Sequence, residues 1–296
     1  MQIHHLRALM AIVDTKSFTA AARQLRMSQS SLSHAIAGLE KELRVKLLER
    51  GRQGARPTEV GQRVLVRARQ VLDGLDSICA EADNTAGELS GRIRVGSIPS
   101  ATVAFLPKVM ARFGQQHPGV EVVLLEEPSQ GTQQLTAWLR DGTLDVAILE
   151  LPANEMKTLP LMKDELCALV PAKSPLAKRT KISVRELARE PFVMSRYTSE
   201  RLVFAAYARR GPLPKIRFEV QDLATLINIV REGLGVSIIP RLAVSSAPAG
   251  TALISVAPRI VREIGCGVKF LDQMSPAVRA FLRNAAELAR SRGRSA

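Results

Sequence analysis

The chain has 296 residues, which is enough for two or three domains. Hydrophobic residues make up 46% of it, which excludes a disordered chain. An excess of 42 Lys and Arg over 28 Asp and Glu gives a formal net charge of +14, which predicts a polyanionic partner: nucleic acid, an anionic membrane surface or an anionic ligand. Three widely spaced Cys exclude a disulfide-stapled secreted scaffold. No targeting pattern and no apolar run of membrane-spanning length are found, so we expect a cytoplasmic protein.

The positive charge is concentrated toward the two ends of the chain. Residues 1–60 hold 10 Lys and Arg against 5 Asp and Glu. Residues 163–260 hold 16 against 8, and residues 261–296 hold 7 against 3. The stretch between these regions is neutral to acidic. One kind of partner therefore need not account for both basic regions.

Residues 1–46 are predicted to form three short amphipathic helices. Their apolar residues recur at the i, i+3, i+4, i+7 spacing of a buried helix face. These residues are Leu6, Leu9, Met10 and Val13, then Phe18, Ala21, Ala22 and Leu25, then Leu32, Ile36, Leu39 and Leu43. Ser17 and Ser28 stand at the expected N-caps, and only Arg26 and Met27 separate the second helix from the third. This is the pattern of a helix-turn-helix.

A basic segment follows at residues 47–61, punctuated by Gly51, Gly54 and Pro57. Its arginines are Arg50, Arg52 and Arg56. A hairpin wing and a solvated basic loop fit this charge equally well. The position directly after a helix-turn-helix favours the wing.

One long helix is predicted over residues 58–89, with Thr58 as its cap and Glu59 in the first turn. Its apolar residues alternate spacings of four and three, which is the seam of a coiled coil. They are Val64, Ala68, Val71, Leu75, Ile78 and Ala82. The alternative is packing inside its own chain. We favour pairing with a second copy, because no second helix of that length is available.

From residue 92 the pattern changes to alternating strands and helices, which predicts an α/β domain with largely parallel strand pairing. The predicted strands are 92–96, 121–126, 145–149, 165–170, 192–194, 216–220, 235–239 and 261–270. The predicted helices are 102–114, 131–141, 199–210, 223–233 and 276–290. The strands at 145–149 and 235–239 are continuously apolar, as expected of buried parallel strands.

In this order the segments resemble the LysR-type transcriptional regulator family over the whole chain. The residues that carry the resemblance are SFTAAARQLRMSQSSLSHAIAGLEKEL (17–43), LLERGRQGARPTEVG (47–61), GTLDVAI (142–148), LCALVPAKSPLA (166–177) and GLGVSIIP (233–240). The resemblance implies an α/β chain with a mostly helical N-terminal winged helix-turn-helix, a linker helix, and a two-lobed effector domain similar to a periplasmic binding protein. The implied bounds are 1–58, 59–90 and 91–296, with lobe one at 91–162 plus 268–296 and lobe two at 163–267. Family members assemble as dimers or tetramers, and the effector binds between the lobes.

Four residues depart from the family's usual pattern. Ser30 stands where Pro is common, His34 where Arg is common, and Leu48 where Phe is common. Arg44 stands where a Gly usually forms a left-handed cap, which we expect to cost from a few tenths to about 1 kcal/mol. His34 puts the family's usual phosphate or base contact at that position in doubt.

A recognition helix presents the polar side of its N-terminus to the major groove. The predicted DNA-binding residues are Ser28, Gln29, Ser30, Ser33, His34, Arg50, Arg52 and Arg56. Gln29 suits bidentate contact with adenine, and the arginines suit phosphate or minor-groove contact. The alternatives are a cap-only role for Ser28 and an exposed bystander at His34. A symmetric dimer predicts an interrupted palindromic operator on double-stranded DNA, with RNA polymerase as a further candidate partner.

Polar residues at helix starts are the candidates for effector binding. In chain order they are Ser97, Ser100, Thr102, Ser129, Arg196, Thr198, Ser199 and Gln221. The resemblance implies effector roles for the segment from Ser97 to Thr102 and for the helix start at Thr198 and Ser199. Each Ser or Thr has an alternative role as a helix cap only. The charge of the second lobe suggests an organic anion, a carboxylate-bearing effector, although a merely solvated basic surface fits as well.

Three other classes of function are alternatives to this interpretation. An enzyme is not expected, because no catalytic motif, metal-ligand spacing or cofactor-binding loop is found, and we expect neither metal nor cofactor. Cys167 and Cys266 fall in the segments expected to cross between the lobes, so we expect them to lie near each other. They allow a thiol-based redox sensor, although buried thiols are favoured. A ligand-independent architectural DNA-binding protein would leave the two-lobed domain unexplained.

Overall fold

The structure, a computed structural model, describes residues 1–51, 54–84, 89–126, 131–196, 199–244, 246–269 and 274–293. The chain divides into two compact units. The N-terminal unit comprises Met1–Gly91 with Asp141–Thr143, and the C-terminal unit comprises Arg92–Arg140 with Leu144–Ala296. Within the described ranges, no helix combines the length and the apolar character needed to cross a bilayer.

The N-terminal unit is a helix-turn-helix followed by a hairpin and a long helix. Its elements are α1 (Ile3–Thr15), α2 (Phe18–Gln24), α3 (Gln29–Leu43), β1 (Leu48–Gly51), β2 (Gly54–Pro57) and α4 (Glu59–Asn84). All three predicted caps are confirmed. Ser17 accepts a hydrogen bond from Ala20 N at 3.3 Å, Ser28 from Ser31 N at 3.0 Å, and Thr58 from Gly61 N at 2.9 Å.

The core of this unit is the set of predicted apolar stripes. Leu9, Ile12, Leu32 and Leu39 are completely buried in it. Leu43 is an exception, because it is exposed at the last turn of α3. The chain turns away there through Arg44, which has the left-handed φ of 55° expected for the position usually held by Gly.

The predicted wing is confirmed, since β1 and β2 form an antiparallel hairpin, and the solvated-loop alternative is wrong. Gly54 is required at its second strand: with φ of 96°, a Cβ there would lie 2.2 Å from the Lys16 carbonyl oxygen. Ala55 N also donates to that carbonyl, at 3.1 Å. The hairpin is therefore attached to the turn between α1 and α2.

Helix α4 divides into a buried and an exposed part. Leu65 and Ala68 are buried in the N-terminal unit, against which Val64 also packs. Further along the predicted seam, Val71 is 48% exposed and Ile78 is 68% exposed. Packing inside the chain therefore accounts for the start of the seam only.

The C-terminal unit contains alternating strands and helices. Its strands are β3 (Gly91–Ser97), β4 (Val120–Leu124), β5 (Val146–Leu151), β6 (Lys157–Pro171), β7 (Lys181–Ser183), β8 (Pro191–Ser195), β9 (Lys215–Val220), β10 (Ser237–Pro240) and β11 (Thr251–Val268). Its helices are α5 (Pro99–Ala104), α6 (Leu106–Gln116), α7 (Thr132–Asp141), α8 (Val184–Leu187), α9 (Glu200–Arg210), α10 (Leu223–Arg231) and α11 (Pro276–Gly293). Two 3₁₀ turns lie at Pro175–Lys178 and Arg241–Ala243.

One sheet of order β10-β6-β11-β5-β3-β4, with β7 beside β11, runs through two α/β lobes, and β8 and β9 form a separate two-stranded sheet. We use "first lobe" for β3–β5, α5–α7 and α11, and "second lobe" for β7–β10 and α8–α10. The long strands β6 and β11 pair with each other and run through both lobes. The serines at the starts of α5 and α9 consequently come from different lobes, on either side of this strand pair.

The prediction of largely parallel pairing is wrong for the centre of the sheet. Three strand pairs are parallel: β3 with β5, β8 with β9, and β7 with β11. However, β11 is antiparallel to both β5 and β6, and β10 is antiparallel to β6. The reason is that the chain passes between the lobes twice, in opposite directions, along β6 and β11.

Three predicted elements differ clearly from the structure in extent, whereas the others shift by a few residues. The strands predicted at 165–170 and 261–270 extend to Lys157–Pro171 and Thr251–Val268. The charged and exposed residues at the start of β6 gave no apolar pattern, whereas the added first part of β11, residues 251–260, is mostly apolar and contains a bulge between Ser255 and Ile260. The helix predicted at 102–114 is two helices that meet at Phe105, because the second begins again with a proline in its first turn.

Candidate DNA-binding and effector sites

The start of α3 presents a polar surface on a buried apolar stripe. Ser28, Gln29, Ser30 and His34 are exposed, and Ser33 is half-buried. Behind them, Leu32 is completely buried. The exposed face therefore contains the polar side chains predicted from the helical spacing.

The Ser28 hydroxyl is engaged at the cap. Its Oγ accepts from Ser31 N and lies 2.8 Å from the hydroxyl oxygens of both Ser30 and Ser31. Gln29 Oε1 accepts a weak hydrogen bond from Thr19 Oγ1 at 3.4 Å, which links the start of α3 to α2. The Gln29 side chain is thus oriented by the preceding helix but is not locked by it.

On the wing, Arg56 is exposed and lies opposite Glu49 in the hairpin register. Arg50 lies on β1. Arg52 lies outside the described residues. The hairpin brings β1 and β2 side by side, so the two described wing arginines come from adjacent strands.

A buried carboxylate that the sequence analysis missed fixes the wing to α3. Glu40 accepts hydrogen bonds from Leu47 N at 2.8 Å and Leu48 N at 3.3 Å, and from Lys46 Nζ at 2.7 Å. Burial alone would raise the pKa of Glu40, but the Lys46 and backbone donors outweigh burial and leave that pKa below its ordinary value. A single Glu at the border of the apolar stripe of α3 gives no signal of such a role.

In the C-terminal unit, the predicted hydroxyls at the start of the first lobe do not cap helices. Ser97 is buried and donates to the Ile98 carbonyl at 3.2 Å. Thr102 Oγ1 donates to the carbonyls of Ser97 and Ile98 at 3.3 and 3.2 Å. Ser100 is buried and contacts Arg262 instead. The cap-only alternative is therefore wrong for all three.

A buried guanidinium joins the two groups of predicted effector residues. Arg262, on β11, is 4% exposed and donates from Nη2 to Ser100 Oγ at 2.6 Å and from Nη1 to Ser199 Oγ at 3.1 Å. Ser199 begins α9, but its side chain makes no cap hydrogen bond. Ser100 and Ser199, which are 99 positions apart in the sequence, thus meet at one side chain.

The charge of Arg262 is balanced from the neighbouring strand. Asp164 Oδ2, on β6, accepts from Arg262 Nε at 2.9 Å and Nη2 at 2.8 Å, and the two residues are opposite each other in the β6–β11 register. Asp164 Oδ1 accepts from Leu242 N at 2.8 Å. Glu150, at the end of β5, lies 3.7 Å from Arg262 Nη1 and 3.4 Å from Arg201 Nη2. Sequence reasoning missed all of these contacts, although a charged residue inside an apolar strand is a usable signal.

The remaining predicted effector residues have other surroundings. Arg196 is exposed, and its Nε donates to Glu219 at 2.8 Å. Gln221 is exposed, and the next residue, Asp222, caps α10 by accepting from Thr225 N at 2.7 Å. Ser129 and Thr198 lie outside the described residues.

The expectation that Cys167 and Cys266 lie near each other is wrong. Cys167 faces Ser255 and Cys266 faces Leu159 in the β6–β11 register. The two cysteines are separated by about eight residues along the strand pair, or roughly 26 Å, whereas a disulfide needs Cα atoms within about 7 Å. Burial raises the pKa of the Cys167 thiol and raises that of Cys266 to about 12. Both thiols are thus buried and poor nucleophiles.

Comparison with known proteins agrees with this architecture. Residues 3–62 match the family described as "Bacterial regulatory helix-turn-helix protein, lysR family", and residues 86–290 match "LysR substrate binding domain". "Probable HTH-type transcriptional regulator LrrA" of Synechococcus elongatus is 38% identical over 285 residues, with 95% of each chain covered.

A second relative and a solved structure extend the comparison. "Probable hydrogen peroxide-inducible genes activator" of Mycobacterium avium is 30% identical over 269 residues, covering 88% of this chain and 85% of its own. A full-length OxyR variant from Pseudomonas aeruginosa has a TM-score of 0.75 and 25% identity, with 98% of each chain covered. The chain belongs to the LysR family of bacterial transcriptional regulators, with a DNA-binding helix-turn-helix and a two-lobed effector-binding domain.

Proposed function

We propose that this regulator reads an interrupted palindromic operator with α3 and responds to a carboxylate-bearing small molecule held between the two lobes. The observation that carries the DNA half is the exposed polar start of α3 over a buried apolar stripe. The observation that carries the effector half is the meeting of Ser100 and Ser199 at Arg262.

Within α3, Gln29, Ser30, Ser33 and His34 are the proposed readers of base edges. Gln is suited to bidentate contact with adenine, and Ser accepts or donates at most edges or phosphates. Ser28 combines its cap with a phosphate contact, which its exposed position allows. The wing arginines, Arg50, Arg52 and Arg56, are assigned to phosphates or the minor groove.

The proposed effector site is the cleft between the lobes. The proposed contacts on its first-lobe side are Ser97, Ser100 and Thr102. The other proposed contacts are Ser129, Arg196, Thr198, Ser199 and Gln221. An organic anion is proposed because the second-lobe segment at residues 163–260 holds 16 basic against 8 acidic residues.

The proposed assembly is a homodimer or homotetramer in the cytoplasm. Exposed Val71 and Ile78 continue the heptad seam of α4 beyond the part buried in its own unit, so they suit pairing with a second copy. A two-fold dimer would place two copies of α3 on the two halves of a palindrome. RNA polymerase is a further proposed partner.

Selection of binding sites from a random duplex library tests the DNA half. The selected sites are expected to be interrupted palindromes. Fluorescence anisotropy with a selected site and with random DNA then separates base reading from phosphate contact. Gln29→Ala should weaken only the selected site, by about 1–3 kcal/mol. Arg56→Ala should weaken binding to both DNAs similarly and reduce the dependence of affinity on salt concentration. Gln115→Ala, on α6, is the matched control for Gln29→Ala. An equal loss on both DNAs for Gln29→Ala would contradict base reading.

Calorimetry with a panel of organic acids and neutral metabolites tests the effector half. We expect an organic acid to bind the wild-type protein and to bind the Ser100→Ala and Ser199→Ala variants more weakly. Binding confined to neutral or cationic compounds would contradict an anionic effector. Binding that neither serine substitution changes would contradict the assigned cleft.

A further inference from the structure

The hydroxyls around the cleft are divided into two kinds by their hydrogen bonds. Ser97 and Thr102 donate to backbone carbonyls, so their O–H groups are already used. Ser100 and Ser199 instead accept from Arg262, at 2.6 and 3.1 Å. A guanidinium can only donate, so the direction of these two bonds is fixed by chemistry.

A serine oxygen that accepts such a bond still carries one O–H donor. That hydrogen must point away from the guanidinium, because it would otherwise meet the N–H groups of Arg262. Among the residues that the structure describes, neither Ser100 nor Ser199 donates its hydroxyl to a protein acceptor. Two O–H donors, one from each lobe, are therefore held ready for a group that only accepts.

We propose that Arg262 is a positioning residue of the effector site, which orients Ser100 and Ser199 as donors toward an oxygen acceptor of the effector, a carboxylate or a carboxamide carbonyl. This inference rests on the proposed function, since it assumes that the effector binds between the lobes. An ammonium group has only donors, so it can use only the remaining lone pair of each hydroxyl and leaves both O–H groups without an acceptor.

Asp164 is the reason that the arrangement does not depend on effector charge. It pairs with Arg262 at 2.8 Å and lies on the neighbouring strand, so the guanidinium is held and balanced before any effector binds. The effector adds to the network at the serine hydroxyls and does not need to displace Arg262. Selection therefore follows hydrogen-bond direction, with an uncharged carboxamide accepted as well as a carboxylate.

Matched fragments test this selection in the full-length protein. Thermal shifts are measured with benzoate, benzamide and benzylamine, and with propionate, propionamide and propylamine, at up to 100 mM and constant ionic strength. The wild-type protein should be stabilised by the carboxylates and amides and not by the amines. Arg262→Lys should weaken that binding by about tenfold or more, because a single ammonium nitrogen cannot stand in for both Nη1 and Nη2 at the two hydroxyls while it also pairs with Asp164. Arg259→Lys, at an exposed position of the same strand, should leave it unchanged.

The outcomes separate this inference from the proposed function. Fragments that bind equally well to the Ser100→Ala/Ser199→Ala variant would place the site elsewhere and overturn both. Amines that bind and require both serines would leave the proposed cleft intact and overturn the orientation inference. A panel without any carboxylate or amide effect also counts against the inference.

A measurement without ligand guards against variants that simply fold poorly. The unfolding temperatures of Ser100→Ala, Arg262→Lys and the double variant form a double-mutant cycle. The losses should be non-additive, because Arg262 and Ser100 contact each other directly. Strict additivity would show that the guanidinium does not hold the hydroxyl and would overturn the inference.

Discussion

The Arg262–Asp164 pair should make the C-terminal unit sensitive to the loss of a single charge. The side chains of Arg262 and Asp164 are 1% and 4% exposed, so water cannot compensate either charge once its partner is gone. Asp164→Asn keeps an oxygen for Leu242 N but removes the negative charge. Breaking a buried pair in this way costs about 3–5 kcal/mol. The Glu150 carboxylate lies 3.7 Å from the guanidinium and still balances part of its charge, so we expect a cost in the lower part of that range.

In a unit of roughly 150–250 residues, about 3–5 kcal/mol corresponds to a fall of roughly 6–20 °C in unfolding temperature. The single tryptophan, Trp138, lies in α7 of the C-terminal unit, so its fluorescence reports on that unit. Protein concentration must be held constant, since oligomers unfold in a concentration-dependent way. Urea unfolding followed at Trp138 gives the free energy directly.

Two controls distinguish a buried pair from an ordinary one. Glu219→Gln removes the same charge from an exposed pair with Arg196, and it should cost about 1 kcal/mol or less. Replacing both buried partners, Arg262→Met with Asp164→Leu, should be less harmful than Asp164→Asn alone, because no unpaired charge remains. A cost for Asp164→Asn no larger than that for Glu219→Gln would refute the reasoning.

Four further predictions concern single sites. Arg44→Gly should stabilise the N-terminal unit by about 0.5–1 kcal/mol, measured by amide exchange in α3, since Arg44 has a φ of 55°. Tyr207→Phe should stabilise the second lobe by about 1 kcal/mol in urea unfolding, because its buried hydroxyl has no hydrogen-bond partner among the described residues. The pKa of Glu40 is lowered in the folded protein, so its ionised carboxylate stabilises the fold above the ordinary pKa of 4.5. That stabilisation is lost as the pH falls through the pKa of the folded state. Glu40→Gln should therefore lower the free energy of unfolding at pH 7 and match the wild type in acid. Peptide-resolved thiol labelling after peroxide should find Cys167 and Cys266 slow to react and not joined to each other, and rapid formation of that disulfide would contradict the strand register.

The N-terminal unit was predictable because its signals are local. A cap acts within three residues, and an apolar stripe repeats within one or two turns, so Ser17, Ser28 and Leu32 could be assigned from spacing alone. Glu40 was missed because its partners follow the end of its helix and are backbone N–H groups, which every residue type supplies. The left-handed turn at Arg44 was predicted only through the family resemblance.

The effector site was predictable only in part, because its geometry depends on strand register. Arg262 and Asp164 are 98 positions apart and meet only because β6 and β11 run antiparallel in one specific register. Apolar spacing predicts that a strand exists, but not which strand lies beside it or in which direction. The same limit explains the error for Cys167 and Cys266: both were assigned to crossing strands, but their positions along the pair could not be known.

Local pairing explains why the net charge of +14 favours an anionic effector without locating its contacts. Arg196 and Arg201 of the second lobe pair with Glu219 and with Glu150, while buried Arg262 on β11 pairs with Asp164 on β6. Each of these cations has a carboxylate nearby, so the excess of basic residues there does not concentrate at the serines. A ligand at the serines meets two oriented hydroxyls in front of a balanced ion pair. The field of the whole lobe can draw an anion toward the cleft, but recognition at short range depends on which atoms donate and which accept.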